Sequence, residues 1–311
     1  MPFDFSAVSA PFRMQPGLRK LAPGAQQLTP NRPGDRALTE KTLVLQNDAA
    51  HALLCAPGFD AAAALQALMR HAVVEHPNDF GFDGSSAFEA RRLGWASCGG
   101  KITGNGPPEI GACLRALPAH QQLAALIALA FAEDFAIVDA NTGGIEWLAV
   151  CLPSRWAPEE KVGRHFTEVH APVADNQLLI AASTQLMRLV TSADRWERFV
   201  WTITATGTLD QHPLRHARAP WPAGDDAAAL AAASFFRTER QTFIPLPERR
   251  QAVFTIHVET TPLARVATSV AAARQLHDAL ASMSPSVLAY RGLVDVRDRL
   301  LHWLSEQAAN P

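Results

Sequence analysis

The stretch that decides the fold is FRTERQTFIPLPERRQAVFTIHVETTPL, which runs from Phe236 to Leu263. It contains two runs rich in β-branched and aromatic residues, Arg240 to Ile244 and Ala252 to Glu259, which predict two strands. The turn-prone residues Pro247-Glu248-Arg249-Arg250 lie between these runs and predict the turn that joins them. The stretch therefore indicates strands that run antiparallel to each other.

Further strands are predicted upstream. The alternation in Arg198 to Thr206 predicts one strand, and Phe135 to Asp139 with Ile145 to Leu152 predicts a hairpin around Asn-Thr-Gly-Gly. Apolar stripes and terminal Asp or Pro residues predict six helices: Asp60 to Glu75, Pro118 to Ala132, Pro158 to Val169, Asn176 to Thr191, Pro262 to Ser282 and Pro285 to Glu306. This order of elements favours an α+β fold with an antiparallel sheet over a doubly wound parallel fold.

Two regions lack such periodicity. Residues 1 to 58 are rich in Pro and Gly, and we expect them to form an N-terminal arm packed on the body. Residues 59 to 311 then form a single α+β domain. Within that domain, the glycine-rich stretch Phe80 to Pro118 is predicted to be a loop.

Composition excludes several classes of partner. The chain has 311 residues and a formal net charge of −2, so it lacks the positive field that nucleic-acid or anionic-membrane binding requires. Its longest apolar run, Leu123 to Ala132, is shorter than the roughly 20 residues that span a bilayer. The start has no secretory pattern, and the four cysteines form no CxxC or CxxCH motif. These features predict a cytoplasmic protein whose partner is a small molecule or another protein.

The segment from Trp156 to Val173 contains the densest set of reactive groups: Lys161, Arg164, His165, Glu168 and His170. If the predicted helix continues through this set, His165 and His170 flank an apolar stripe on opposite sides. Their spacing does not match the HExxH zinc motif, whose histidines share a face. Periodicity alone does not choose between the two histidines.

One histidine beside an apolar stripe is what a b-type haem requires, because the macrocycle needs an apolar slot and the iron needs a neutral imidazole. The alternative, and the more frequent role, is a helix-end cap or a surface histidine. A second dense segment, Phe236 to Thr242, places Arg237, Glu239 and Gln241 on one face of a strand and Arg240 on the other. Such arginines suit a carboxylate ligand, whereas the alternative is a solvated edge strand with local salt bridges.

Several stretches together resemble the haem-dependent oxidative N-demethylase-like family. The most specific are the Pro-Ser-x-Trp…Lys-x-Gly…His-x-Pro-Val run and the Arg-x-Glu-Arg-Gln-Thr run. The full set comprises Pro11 to Leu18 (PFRMQPGL), Glu133 to Asp139 (EDFAIVD), Leu152 to Val173 (LPSRWAPEEKVGRHFTEVHAPV), Arg198 to Thr204 (RFVWTIT) and the opening stretch from Phe236 to Leu263.

This resemblance implies a PAS-like sheet with flanking helices that enclose haem b. It also implies oxidation of a small secondary amine to a primary amine and formaldehyde, with O₂ and with electrons from a separate reductase. The histidine of His-x-Pro-Val falls on His170, which becomes the expected iron ligand, with His165 as the fallback. The candidate cofactor contacts that accompany it are Arg237, Arg240, Lys161 and Trp201. Glu239 is a candidate for pairing with the amine cation.

The stretch LTEKTLVLQNDAAHALLCAPG, residues 38 to 58, has no tyrosine where family members carry an Asp, Tyr and Arg pattern. This departure favours haem binding over demethylation. Two other functions are therefore kept: a PAS-like protein that senses or binds haem or another small ligand without turnover, and a relative that has lost the cofactor.

Overall fold

The structure is a computed structural model that describes residues 3–309 as two antiparallel sheets surrounded by helices. The strands are β1 (Arg19–Lys20), β2 (Leu53–Cys55), β3 (Phe80–Phe82), β4 (Phe88–Ala90), β5 (Trp95–Cys98), β6 (Lys101–Gly104), β7 (Asp134–Asp139), β8 (Gly144–Ala149), β9 (Trp196–Thr204), β10 (Phe235–Leu246) and β11 (Gln251–Pro262). Seven of them form one sheet in the order β1-β9-β10-β11-β7-β8-β2, and β3 to β6 form a second sheet in sequence order. The predicted α+β class with an antiparallel sheet is confirmed.

The hairpin of β10 and β11 is the centre of the larger sheet. Both strands extend beyond their predicted ends, so that twelve residues of each are paired, from Phe235 opposite Pro262 to Leu246 opposite Gln251. Arg250 turns the chain between them with a left-handed φ of 55°. β7 and β8 form the second predicted hairpin, and β7 pairs with β11. Both sequence-predicted hairpins are therefore confirmed.

The helices are α1 (Arg36–Asp48), α2 (Ala62–Glu75), α3 (Pro108–Ala116), α4 (Ala119–Ala130), α5 (Phe166–His170), α6 (Gln177–Ala181), α7 (Ser183–Val190), α8 (Ala227–Ala232), α9 (Leu263–Val266), α10 (Val270–Ala281), α11 (Pro285–Arg291) and α12 (Arg297–Ala309). The predictions for α2 and α4 are confirmed within two residues at each end. Three other predicted helices are each divided in two. One division follows from Gly292, whose φ of 69° ends α11 before α12 begins.

The loop predicted for Phe80 to Pro118 is wrong, because this stretch contains the four-stranded sheet and α3. Its glycines serve turns and close packing. Gly94 has a φ of 69°, and a Cβ on Gly111 would come within 2.3 Å of the Trp95 ring. The strands are only three or four residues long, so that they show too little alternation to be recognised in the sequence.

The larger sheet has helices on both faces. On one face, which we call the packed face, Phe135 and Ile137 belong to the main core with residues of α1, α2 and α4. Trp201 and Ile203 lie on the same face and join a second core with α8, α10 and α12. The opposite face is partly covered by two helices. Phe166 of α5 and the buried residues Met187 and Val190 of α7 pack against it.

The first 58 residues contribute both edge strands of the larger sheet, since β1 pairs with β9 and β2 pairs with β8. In α1, Lys41 is fully buried, with its Nζ 3.0 Å from Asp134 Oδ1. The division of the chain at residue 58 stays a prediction. Among residues 3–309, no helix is both long enough and apolar enough to cross a membrane.

Candidate functional site

The segment that carries the two candidate histidines is not one helix. A single 3-10 turn at Pro158–Glu160 is followed by Gly163, whose φ is 71°, and only then by the five-residue helix α5. The helix predicted for Pro158 to Val169 is therefore wrong, because the chain reverses at a glycine in its middle. As a result, His165 and His170 do not flank a common stripe: one precedes α5 and the other ends it.

His165 is the N-cap of α5. Its Nδ1 accepts a hydrogen bond from the Thr167 amide at 3.3 Å, and the Glu168 carboxylate accepts one from the His165 amide at 3.2 Å. This is a capping box with histidine in the place where Ser or Thr is usual. The His165 side chain is exposed. The local geometry gives this residue a helix-capping role.

His170 is held differently. Its Nδ1 donates a hydrogen bond to the carbonyl of Phe166 at 2.8 Å, and its ring stacks on the Phe166 ring at 4.0 Å between centroids. Within residues 3–309, its Nε2 has no hydrogen-bond partner. Burial lowers the pKa of His170 to about 4, and the charges of Arg198 and Lys161 act in the same direction. His170 is therefore a neutral imidazole at pH 7, with one nitrogen fixed and the other available.

Lys161 lies beside His170 but points to the backbone. Its Nζ donates to the carbonyl of Val169 at 3.0 Å, one residue before His170. Partial burial lowers the pKa of Lys161. A cation on the last carbonyls of a helix stabilises it through the helix dipole. Lys161 thus stabilises the C-terminal end of α5, where His170 lies.

The face of β9 opposite to the packed face carries Arg198, whose charge reaches His170, and we call it the cleft face of the sheet. Arg198, Val200 and Thr202 keep part of their surface accessible, whereas Trp201 and Ile203 on the packed face are 2% and 1% exposed. Four buried side-chain polar atoms of β9 have no hydrogen-bond partner within the described residues: Trp196 Nε1, Arg198 Nε and Thr202 Oγ1 on the cleft face, and Trp201 Nε1 on the packed face. Such atoms are rare in folded proteins, and three of them on one face make it a candidate place for another group to bind.

Arg198 is one of two arginines on this face. Burial lowers its pKa, while the charge of Glu239 on the neighbouring strand opposes that effect. Its own charge lowers the pKa of His170, so that the two groups lie within electrostatic reach of each other. Sequence reasoning did not single out Arg198. The signal was present in RFVWTIT, because the period of two places Arg198 opposite the apolar Trp201 and Ile203.

Arg237 shares the cleft face, and each nitrogen of its guanidinium has a protein partner. Its Nε donates to Ser154 Oγ at 2.8 Å, and its terminal nitrogens donate to three carbonyls at 2.8–3.2 Å, those of Leu152, Thr208 and Leu209. It is 2% exposed, and burial lowers its pKa to about 10, so it stays charged at pH 7. Arg237 therefore joins two loops to the sheet and has little capacity left for a ligand.

Glu239 lies two residues after Arg237 in β10, on the same face of the strand. One carboxylate oxygen accepts a hydrogen bond from Ser154, and the other accepts one from Gln241 Nε2 at 2.6 Å. Ser154, from the Pro-Ser-x-Trp run, thus connects Arg237 to Glu239. The bonds fix the carboxylate and leave lone pairs free for a further donor. Glu239 stays available for an incoming N–H group.

Arg240 and Trp201 lie on the packed face, away from His170. Arg240 donates to Glu197 Oε2 at 3.0 Å and to the Gln26 carbonyl at 2.9 Å. Trp201 packs on Phe236 with its ring centroid 5.6 Å away. From the expected set, the structure therefore brings together His170 and Lys161. It places Glu239 on the cleft face within electrostatic reach of Arg198, and it puts Arg240 and Trp201 on the opposite face.

Together, the mixed fold and the unpaired groups of the cleft face define an α+β domain with a candidate small-molecule site beside a neutral histidine. The comparison with protein families is more specific. The family described as "Haem-dependent oxidative N-demethylase, alpha subunit-like" matches residues 35–301, which is most of the chain, and the chain belongs to this family. The family predicted from the sequence is thereby confirmed.

Proposed function

We propose that this chain binds haem b through His170 and is the haem-binding subunit of an oxidative N-demethylase that acts on a small secondary amine with O₂. The observation that carries the proposal is the state of the His170 imidazole: neutral, with Nδ1 bonded to Phe166 and Nε2 available. Iron-bound histidines almost always donate their second ring N–H to a carbonyl, carboxylate or water. The bond to the Phe166 carbonyl meets that requirement.

The unpaired donors of β9 fit the remainder of the haem. Haem carries two carboxylates, which need charge-assisted donors when they are buried. Arg198 Nε and Trp196 Nε1 are buried donors without a protein partner on this face, and Val200 lies between Arg198 and Thr202 as an apolar contact. Arg198 therefore replaces Arg237 and Arg240 as the proposed carboxylate partner, because those two arginines already have partners.

Haem bound here would supply the O₂ chemistry of the reaction, with electrons delivered by a separate reductase. The role left to the chain is to hold and orient the amine. Glu239 is the proposed partner of the protonated amine, since Ser154 and Gln241 fix its carboxylate while a lone pair remains free. A fixed acceptor orients a small cation at low entropic cost.

The test begins with an absorption spectrum of the protein produced with added haem. We expect a Soret band that is lost in His170→Ala and retained in His165→Ala, the matched control from the other end of the same helix. Amine-dependent shifts of that band, followed by formaldehyde release with a surrogate reductase, would then support turnover. Spectral shifts without formaldehyde would favour a sensing protein. Normal haem binding by His170→Ala would rule out the proposed ligand.

A further inference from the structure

Three consecutive residues after the His170 helix form a strap, which we define as Ala174, Asp175 and Asn176. The Asn176 side chain reaches back, and its Nδ2 donates to the carbonyls of His170 and Ala171, each at 3.0 Å. Asn176 therefore binds the backbone of the residue that carries the imidazole. The carbonyl of His170 also accepts a hydrogen bond from the Val173 amide at 3.1 Å, which closes the turn.

Asp175 extends in the other direction, to α11. Its two carboxylate oxygens accept hydrogen bonds from Ser284 Oγ at 2.6 Å and from Ser286 Oγ at 2.7 Å. Its backbone has a φ of 51°, which is unusual for a residue other than glycine. Ala174 packs against the core formed by α8, α10 and α12. Adjacent residues thus hold the end of α5 on one side and the start of α11 on the other.

α11 is itself hydrogen-bonded to strand β9, which carries Arg198. Arg291 NH1 donates to the backbone carbonyl of Trp201 in β9 at 2.6 Å. The neighbouring Tyr290 is close enough to Glu239 for the carboxylate charge to add to burial in raising the pKa of the phenol. A continuous set of contacts therefore leads from His170 through the strap and α11 to the strand that carries Arg198.

From this set of contacts we propose that Asn176 and Asp175 are positioning residues that hold the His170 imidazole at a fixed place relative to Arg198 and the cleft face. The inference rests on the proposed function, since a fixed imidazole matters most where it binds iron. Groups that orient a metal ligand from outside its coordination sphere commonly change metal affinity by about 10–100-fold when they are removed. Neither residue has a hydrogen bond to the proposed ligand atom Nε2: Asn176 acts on the His170 backbone, and Asp175 acts through α11, which is bound to β9.

The experiment is a haem titration of Asn176→Ala, Asn176→Asp and Asp175→Ala apoproteins. Asn176→Asp keeps the side-chain size and removes the two N–H donors. The matched control is Asn47→Ala, because Asn47 Nδ2 also donates to a backbone carbonyl, that of Leu43, at 2.7 Å, but on α1. We expect about tenfold weaker haem binding in the strap variants, a shifted iron–histidine stretching band in the reduced protein, and wild-type values in the control.

A second measurement does not need haem. The titration of His170 in the apoprotein, followed by NMR, should move from about pH 4 toward its ordinary range in Asn176→Ala, which removes the two N–H donors without adding a charge near the imidazole. A change in folding alone would not produce this result when the thermal midpoint stays within about 2 °C of the control. If Asn176→Ala fails to fold, the Asn176→Asp and Asp175→Ala proteins decide the question.

Wild-type haem affinity, stretching band and His170 titration in the folded strap variants would overturn the inference while leaving the proposed function in place. Absence of haem binding by the wild type, or normal binding by His170→Ala, would overturn the proposed function and the inference together. The two failures are therefore distinguishable.

Discussion

Arg198 and Arg237 lie on the same face of adjacent strands, yet their surroundings differ. Arg237 uses its guanidinium to bind Ser154 and three backbone carbonyls, whereas Arg198 Nε is buried without a partner. Burial lowers the pKa of both side chains. Arg237 therefore holds two loops on the sheet, whereas Arg198 has donor capacity left for a ligand.

The two histidines, His165 and His170, differ in burial instead. Each ring has its Nδ1 in a hydrogen bond, with the Thr167 amide for His165 and with the Phe166 carbonyl for His170. His165 is exposed and caps α5, whereas His170 is partly buried, and this burial lowers its pKa to about 4. Burial near Arg198 therefore makes His170, and not His165, the candidate ligand.

The largest expected effect is a loss of folding stability on substitution of Arg237. We expect Arg237→Ala to lower the free energy of unfolding by about 3–5 kcal/mol, because it leaves buried carbonyls and the Glu239 carboxylate without their cation. Urea denaturation would measure it. Arg198→Ala is the matched control and should lose no more than about 1 kcal/mol, since it leaves no protein group newly unpaired. Equal losses of stability in the two variants would contradict the structural role assigned to Arg237.

The second prediction concerns ligand affinity and compares Arg198 on the cleft face with Arg240 on the packed face. Arg198→Gln should weaken haem binding by about tenfold, because a charge-assisted hydrogen bond of about 1.5–3 kcal/mol is reduced. Arg240→Gln, on the packed face, should bind haem as the wild type does. Titration of haem into each apoprotein gives the dissociation constants, and an effect confined to Arg240→Gln would assign the carboxylate contact to the other face.

The third prediction uses pH to compare the histidines. The folded-state pKa of His170 is about 4, below the ordinary value near 6.5, so the unfolded chain takes up this proton first as pH falls. The stabilising contribution of neutral His170 is therefore complete above about pH 6.5 and is lost as pH falls toward 4. The stability difference between wild-type and His170→Phe apoprotein should change by about 2 kcal/mol from pH 7 to pH 5. A pH-independent difference would contradict the assigned environment.

The smallest effect is expected at His165. Loss of a helix N-cap costs about 1 kcal/mol, and here the helix has only five residues, so the loss should remain local. Faster amide hydrogen exchange in α5 of His165→Ala, with unchanged haem affinity, is the expected result. His165→Asn should restore the slow exchange, because asparagine is a good N-cap.

Much of the fold follows from local patterns in the sequence. The long alternating runs of β10 and β11 and the Asn-Thr-Gly-Gly turn between β7 and β8 predict the hairpins, because strand pairing across a short turn is a local event. The four-stranded sheet of residues 80–104 was not predicted, since its strands are short and its glycines serve tight turns. The break at Gly163 was missed for a related reason: one glycine in an apparently periodic helix carries little signal.

The family, the α+β class and the choice of His170 as one of two candidate ligands follow from sequence patterns. Which polar groups already have hydrogen-bond partners follows from the three-dimensional arrangement. Ser154, Leu152 and Thr208 are distant from Arg237 in the chain, yet their hydrogen bonds occupy it. Hydrogen bonding between distant segments depends on how the strands and loops meet, and no local pattern records it. For this reason Arg198, unremarkable in the sequence, becomes the proposed partner of the haem carboxylates.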